Sequence, residues 1–261
     1  MRSLIQTLEF LEDSGEHFVL SSEPINLLNQ RVSVEEKPPT SMSMESLKSK
    51  LSKNDARKQA EELAYNANTL EELKAAMNRF EGCSLKKTAM NMVFSDGNPE
   101  SKIMFLGEAP GADEDRLGKP FVGQSGQLLD KFLAHAGFSR AKNIYITNTI
   151  AWRPPGNRQP TPEENYMCMP FVERHIELMK PKFLVMLGGT ALKALHNAKE
   201  GIVKLRGKWI PYKTSVNNLE VSTIPFFHPA FLLRSPGQKK LFWRDVLTLK
   251  KVFEQEEKNF G

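Results

Sequence analysis

Residues 103–111 read IMFLGEAPG, an apolar run that ends in a glycine-bounded turn. Apolar side chains without alternation mark a strand buried on both faces, and glycines at 107 and 111 let the chain turn sharply and approach a ligand closely. The same pairing recurs downstream. IYITN (144–148) ends in Asn148, FLVMLG (183–188) runs into Gly188-Gly189, and VSTIPFF (221–227) runs into His228-Pro229. Helical periodicity covers roughly 124–137, 163–179, 189–198 and 238–256. This βαβα series predicts an α/β fold whose parallel sheet is covered on both faces. The carboxyl ends of its strands should converge on one crevice.

Outward from this block the chain changes character. Residues 55–79 carry Ala60, Leu63, Ala64, Ala67, Leu70, Leu73 and Met77 with two turn-like breaks, which predicts helices leading into the main domain. Residues 33–54 are rich in Ser, Pro, Glu and Lys, the composition of a flexible linker. Residues 1–32 form an appendage in which Leu4, Ile5, Leu8 and Leu11 make one helical stripe, broken by Asp13-Ser-Gly. The expected division is therefore 1–32, 33–54 and 55–261. We see no internal repeat.

The 261 residues are 40% hydrophobic and 26% charged, which excludes a disordered or fibrous chain. No window approaches eighteen apolar residues, and MRSLIQTLEFLED acquires acids where a secretory segment would stay apolar, so a cytoplasmic protein is expected. Two cysteines, Cys83 and Cys168, build no disulfide framework and supply only half the ligands of a structural zinc or iron–sulfur site. The net charge is +5, yet Arg206–Arg244 alone holds seven basic residues against Glu220, a net +6. That concentration suits a polyanionic partner, and also a plain lysine-rich surface.

The strand-end residues have chemical uses and ordinary structural ones. In GEAPG with Ala112-Asp113-Glu114-Asp115, a carboxylate beside a flexible backbone can orient or deprotonate a water; a solvated loop is the alternative. Phe121, between Pro120 and Gly123, can stack a flat ring or fill core. Asn148 presents donors and an acceptor that can read a base edge, or cap a turn. Arg153 and Arg158, in RPPGNR, can hold phosphates or sit on a surface loop. His228, followed by AFLLR, suits a proton or hydrogen-bond donor beside a wedge that enters a duplex, although a lone histidine is usually structural.

Together these residues resemble the uracil-DNA glycosylase superfamily, most nearly its bacterial and archaeal family 4. The matching words are GEAPGADED, GKPFVGQSGQLLD, YITN, WRPPGNRQP, LGGTALKAL, LRGKW and HPAFLLR, in family order. The resemblance covers about Cys83 to Phe253 and leaves the first sixty or so residues without a role. It implies a three-layer α/β/α sandwich around a four-stranded, mainly parallel sheet. It also implies hydrolysis of the bond joining uracil to deoxyribose in DNA. Carried across, Glu114 resembles the water-positioning acid, Phe121 the ring under uracil, Asn148 the reader of its pairing edge and His228 the donor to its O2. Gly107, Glu108 and Ala109 would line the pocket. Leu232 and Leu233 would press into the duplex, with Arg234, Lys239 and Lys240 on phosphates.

Two departures stand out. Family 4 implies an iron–sulfur cluster on four cysteines, and the corresponding positions read Phe80, Cys83, Trp152 and Cys168. No metal or other cofactor is therefore expected. A crosslinking branch of the superfamily carries a histidine in an inserted basic loop; RPPGNRQP has none, so hydrolysis without attachment is expected. The expected protein is a monomeric, monofunctional glycosylase of DNA repair that acts on uracil-containing DNA and no membrane. The alternatives are a non-catalytic DNA-binding member of the fold and a glycosylase preferring another deaminated base.

Overall fold

The computed structural model describes residues 44–196, 198 and 200–260. The predicted appendage at 1–32 and the first part of the predicted linker lie outside the described residues. Among the described residues there are six strands: β1 (Asp96–Gly97), β2 (Ile103–Gly107), β3 (Tyr145–Asn148), β4 (Phe183–Leu187), β5 (Ile210–Lys213) and β6 (Glu220–Phe226). They form one sheet in the order β1-β3-β2-β4-β6-β5. The central four, β3-β2-β4-β6, are parallel and are the four apolar runs of the sequence. Two antiparallel edge strands correct the expected four to six. Neither edge strand has an apolar run: β1 is Asp-Gly alone, and β5 carries Pro211, which an edge tolerates because one side needs no ladder bond.

Alternate residues of the central strands point to opposite faces. Ile103, Phe105, Val185 and Phe226 pack with Leu129 and Leu133 of the helix Gln124–His135 and with Phe242, Val246 and Leu249 of the helix Lys239–Phe260. Met104, Leu106 and Leu184 pack instead with Val172, Ile176 and Met179 of the helix Pro162–Met179. This gives the three layers. In chain order the helices are α1 (Met44–Tyr65), α2 (Leu70–Arg79), α3 (Ala112–Leu117), α4 (Gln124–His135), α5 (Pro162–Met179), α6 (Gly189–His196), α7 (Ile202–Leu205), α8 (Pro229–Arg234) and α9 (Lys239–Phe260). Among the described residues no helix is long and apolar enough to cross a membrane.

A second buried cluster lies where α1 and α2 meet α5, with Ala60, Ala64, Leu73, Ala76, Phe80 and Phe171 in contact. Residues 44–54, assigned to the linker on composition, are the first turns of α1. The stretch lacks an apolar stripe, but Met, Leu, Lys and Glu are good helix formers, and a helix already packed at Ala60 and Ala64 extends one residue at a time.

Candidate active site

A cleft of about 1320 Å³ opens at the carboxyl ends of the parallel strands. It gathers the loop after β2, Asn148 at the end of β3, Gly188 after β4 and His228 after β6, the convergence the strand pattern implies. Its floor is tightly built. A side chain at Gly107 would meet the Phe121 ring at 2.5 Å and would collide with the Asn148 amide, so only glycine lets ring and amide lie on the strand end. Phe121 has φ +56, the left-handed region that disfavours any residue with a Cβ. Beneath it, Gly126 of α4 leaves room for the Phe121 carbonyl.

Asn148 is buried, and its Oδ1 is, among the described residues, the buried side-chain polar atom without a hydrogen-bond partner. An acceptor sealed from water and unpaired is costly unless something donates to it. Set in the cleft, that oxygen is available to a donor on a ligand.

The acidic loop separates into distinct tasks. Asp113-Glu114-Asp115 begins α3, whose backbone N–H groups favour carboxylates in the first turn. Asp115 turns away from the cleft and accepts from Met90 N at 2.8 Å and Asn91 N at 3.1 Å. Glu114 Oε1 accepts from Val122 N at 2.9 Å and Gly123 N at 2.8 Å, while Oε2 accepts from Gly111 N at 3.1 Å. Two bonds saturate Oε1, leaving one lone pair on Oε2 for a further donor. Glu108 and Asp113 also line the cleft.

His228 caps α8. Ala230 N donates to its Nδ1 at 3.2 Å, which places the ring proton on Nε2 in the neutral form. Burial, with the Arg234 charge as a second cause, lowers its pKa from 6.5 to about 4. The ring lies 5.8 Å from the Phe121 ring, tilted 37°. Gly188, at φ +93, leaves room for the histidine: a Cβ there would stand 3.0 Å from the His228 Cβ.

Several expected DNA-contacting residues have other surroundings. Leu232 is fully buried in the core, which corrects its assignment as a wedge, whereas Leu233 is 41% exposed and lines the cleft. Adjacent residues on a helix point about 100° apart, so α8 buries one leucine by presenting the other. Arg158 forks onto Glu164 at 2.7 and 2.9 Å, and Arg153 donates to Asn157 at 2.7 Å, so both guanidiniums brace their loop. Arg234 lines the cleft, while Lys239 and Lys240 open α9. One contributor escaped the sequence reading: Arg140 donates to the carbonyls of Pro120 and Phe121, 20 and 19 residues away. No local motif marks contacts at such separations.

The four positions matching iron–sulfur ligands do come together in the helical cluster, all buried. Phe80 packs on Phe171 at 5.2 Å, and hydrogen bonding to Cys83, followed by burial, pushes the Cys168 thiol well above its ordinary pKa. Two thiols and two large rings do not fit a four-thiolate cluster. Among the described residues no group of three or more His, Cys, Asp or Glu is placed to hold a metal ion.

The family model of the uracil DNA glycosylase superfamily matches residues 94–247. A type-4 uracil-DNA glycosylase of Thermotoga maritima is 37% identical over 180 residues, covering 67% of this chain and 89% of that protein. One from Archaeoglobus fulgidus is 39% identical over 167 residues, covering 62% and 82%. A type-5 uracil-DNA glycosylase of Thermus thermophilus is 37% identical over 113 residues, covering 38% and 51%.

Proposed function

The chain belongs to the uracil-DNA glycosylase superfamily, and on that footing we propose that its cleft hydrolyses the N-glycosidic bond of uracil in DNA, releasing free uracil and leaving an abasic site. The observation that carries the reading is the unpaired, buried Asn148 Oδ1. Uracil presents an N3–H donor to such an acceptor. Cytosine presents a lone pair at that position and leaves the acceptor unsatisfied, a mismatch that rejects it strongly.

The base reaches this acceptor only outside the stack, so the nucleotide flips into the cleft and lies on the Phe121 ring. Glu108 and Ala109 wall the pocket, and Gly107 lies under the ring and the Asn148 amide. As the bond between C1′ and N1 lengthens, negative charge gathers on uracil O2 and positive charge on the sugar. The neutral His228 Nε2–H meets O2 at the point where charge develops, which favours the transition state over bound substrate. A water held by the free lone pair of Glu114 Oε2 adds to C1′ as N1 departs with the bonding pair; the proton the water loses passes by way of the carboxylate to solvent, and the departing uracil anion takes one up from solvent. The carboxylate also favours the cationic sugar. Leu233 fills the space the base vacates, and Arg234, Lys239 and Lys240 meet phosphates, which the net +6 of Arg206–Arg244 supports. The enzyme works as a cytoplasmic, metal-free monomer.

The test is direct. Oligonucleotides carrying uracil, hypoxanthine or xanthine, single- and double-stranded, are incubated with the protein and treated with alkali to break abasic sites. Strand breaks at uracil are expected. Faster breakage at hypoxanthine or xanthine would move the substrate to that base, and no breakage at any base would leave a DNA-binding module.

A further inference from the structure

We propose that Arg140, in the loop between α4 and β3, is a positioning residue that holds the Phe121 ring in place under the flipped base. The proposal rests on the reading of Phe121 as the stacking platform. Three facts about that ring need an explanation. It sits on a non-glycine residue with φ +56, it lies in a loop between α3 and α4, and it nevertheless meets the Gly107 floor without slack. A loop residue in a disfavoured conformation keeps it only if the surroundings dictate it.

Arg140 supplies that restraint from one side and Glu114 from the other. An arginine has five N–H donors in a rigid planar fork, and here each has an acceptor. Nε donates to Asp130 Oδ1 at 3.0 Å. Nη1 donates to Asp96 Oδ2 at 2.9 Å and to the Pro120 carbonyl at 2.7 Å. Nη2 donates to the Phe121 carbonyl at 2.5 Å and to Asp130 Oδ2 at 3.1 Å. The carbonyls of residues 120 and 121 are thus tied to Arg140, and the amides of 122 and 123 to Glu114 Oε1. One backbone group on each of four consecutive residues around the platform is pinned. Asp96 on β1 and Asp130 on α4 fix the guanidinium to the sheet edge and to the helix below the ring. A lysine, with three donors on a flexible stem, cannot reproduce the fork.

The experiment measures single-turnover excision from a single-stranded uracil oligonucleotide, inhibition by free uracil, and affinity for the same oligonucleotide with thymine in place of uracil. Arg140→Lys is expected to slow excision by about 10- to 100-fold, the cost of misplacing a group by the order of an ångström. The uracil inhibition constant should rise, and affinity for the thymine oligonucleotide should stay within about twofold, since phosphate contacts dominate it. Combined with Phe121→Leu, Arg140→Lys should add little further loss, because both act through one ring. If Arg140→Lys unfolds the protein, Asp130→Asn, which loosens the fork and leaves both carbonyl bonds, should show the same pattern at smaller size. Normal excision and normal uracil inhibition in the folded variants, or losses that multiply with Phe121→Leu, would overturn the proposal. If Phe121→Leu alone excises at the wild-type rate, the platform reading fails, and the proposal with it.

Discussion

His228 shows how burial decides a protonation state and one hydrogen bond decides which nitrogen keeps the proton. Burial disfavours the charged ring and the Arg234 charge adds to that, while Ala230 N, donating to Nδ1, leaves Nε2 to carry the proton of the neutral form. A pKa lowered to about 4 keeps the ring neutral at any pH above roughly 5, so its Nε2–H is present as a donor throughout the ordinary assay range. We expect single-turnover excision to show no limb from this residue between about pH 5.5 and 8, and protonation to break the Ala230 bond only on descent through the lowered value. His228→Ala should cost on the order of 10²- to 10³-fold in rate with little change in DNA affinity, as for other anion-stabilising donors. A wild-type limb centred near 6.5 that vanishes in His228→Ala would show an ordinary titrating histidine and refute the neutral-donor role.

At the scale of the element, α8 spans only Pro229–Arg234, yet it divides labour between neighbours. Leu232, at 0% exposure, belongs to the core around Phe226 and Phe242, and Leu233 faces the cleft. Leu232→Ala should therefore destabilise the fold by about 2–5 kcal/mol in urea denaturation, the range for a buried leucine. Leu233→Ala should leave stability within about 0.5 kcal/mol of wild type. It should slow excision from duplex more than from single strands, because a wedge matters only where a stack must be held open. Equal losses on both substrates would show that Leu233 wets the cleft wall and holds no duplex open.

For the whole molecule, the helical cluster of α1, α2 and α5 meets the sheet domain without the thiolates that the family resemblance implies. Phe80 and Trp152, both buried, occupy two of the four positions and add hydrophobic burial to the packing of these helices. The purified protein is expected to be colourless and to excise uracil as fast after chelator treatment as before. Visible charge-transfer absorption with stoichiometric iron would overturn this expectation. Cys83→Ala should cost stability through lost packing and leave the excision rate of the folded protein unchanged. A fall in rate would tie the thiol to the site.

How much of this was legible in the amino acids depends on how local each feature is. The central strands were, because IMFLG, YITN, FLVML and VSTIPF are buried on both faces and so carry continuous apolar runs. The meeting of Glu108, Asn148, Gly188 and His228 followed from parallel topology, which sends every carboxyl end to one side. The edge strands did not show, since a strand with one free side needs no apolar run. The start of α1 at Met44 did not show either, because its helicity is propagated from packing farther along. Which leucine points outward, which oxygen of Glu114 keeps a free lone pair, and that Arg140 closes on Pro120 and Phe121 were decided only in three dimensions. Side-chain direction and long-range hydrogen bonds depend on where the backbone goes after it folds, and residue order records the donors and acceptors without recording their partners.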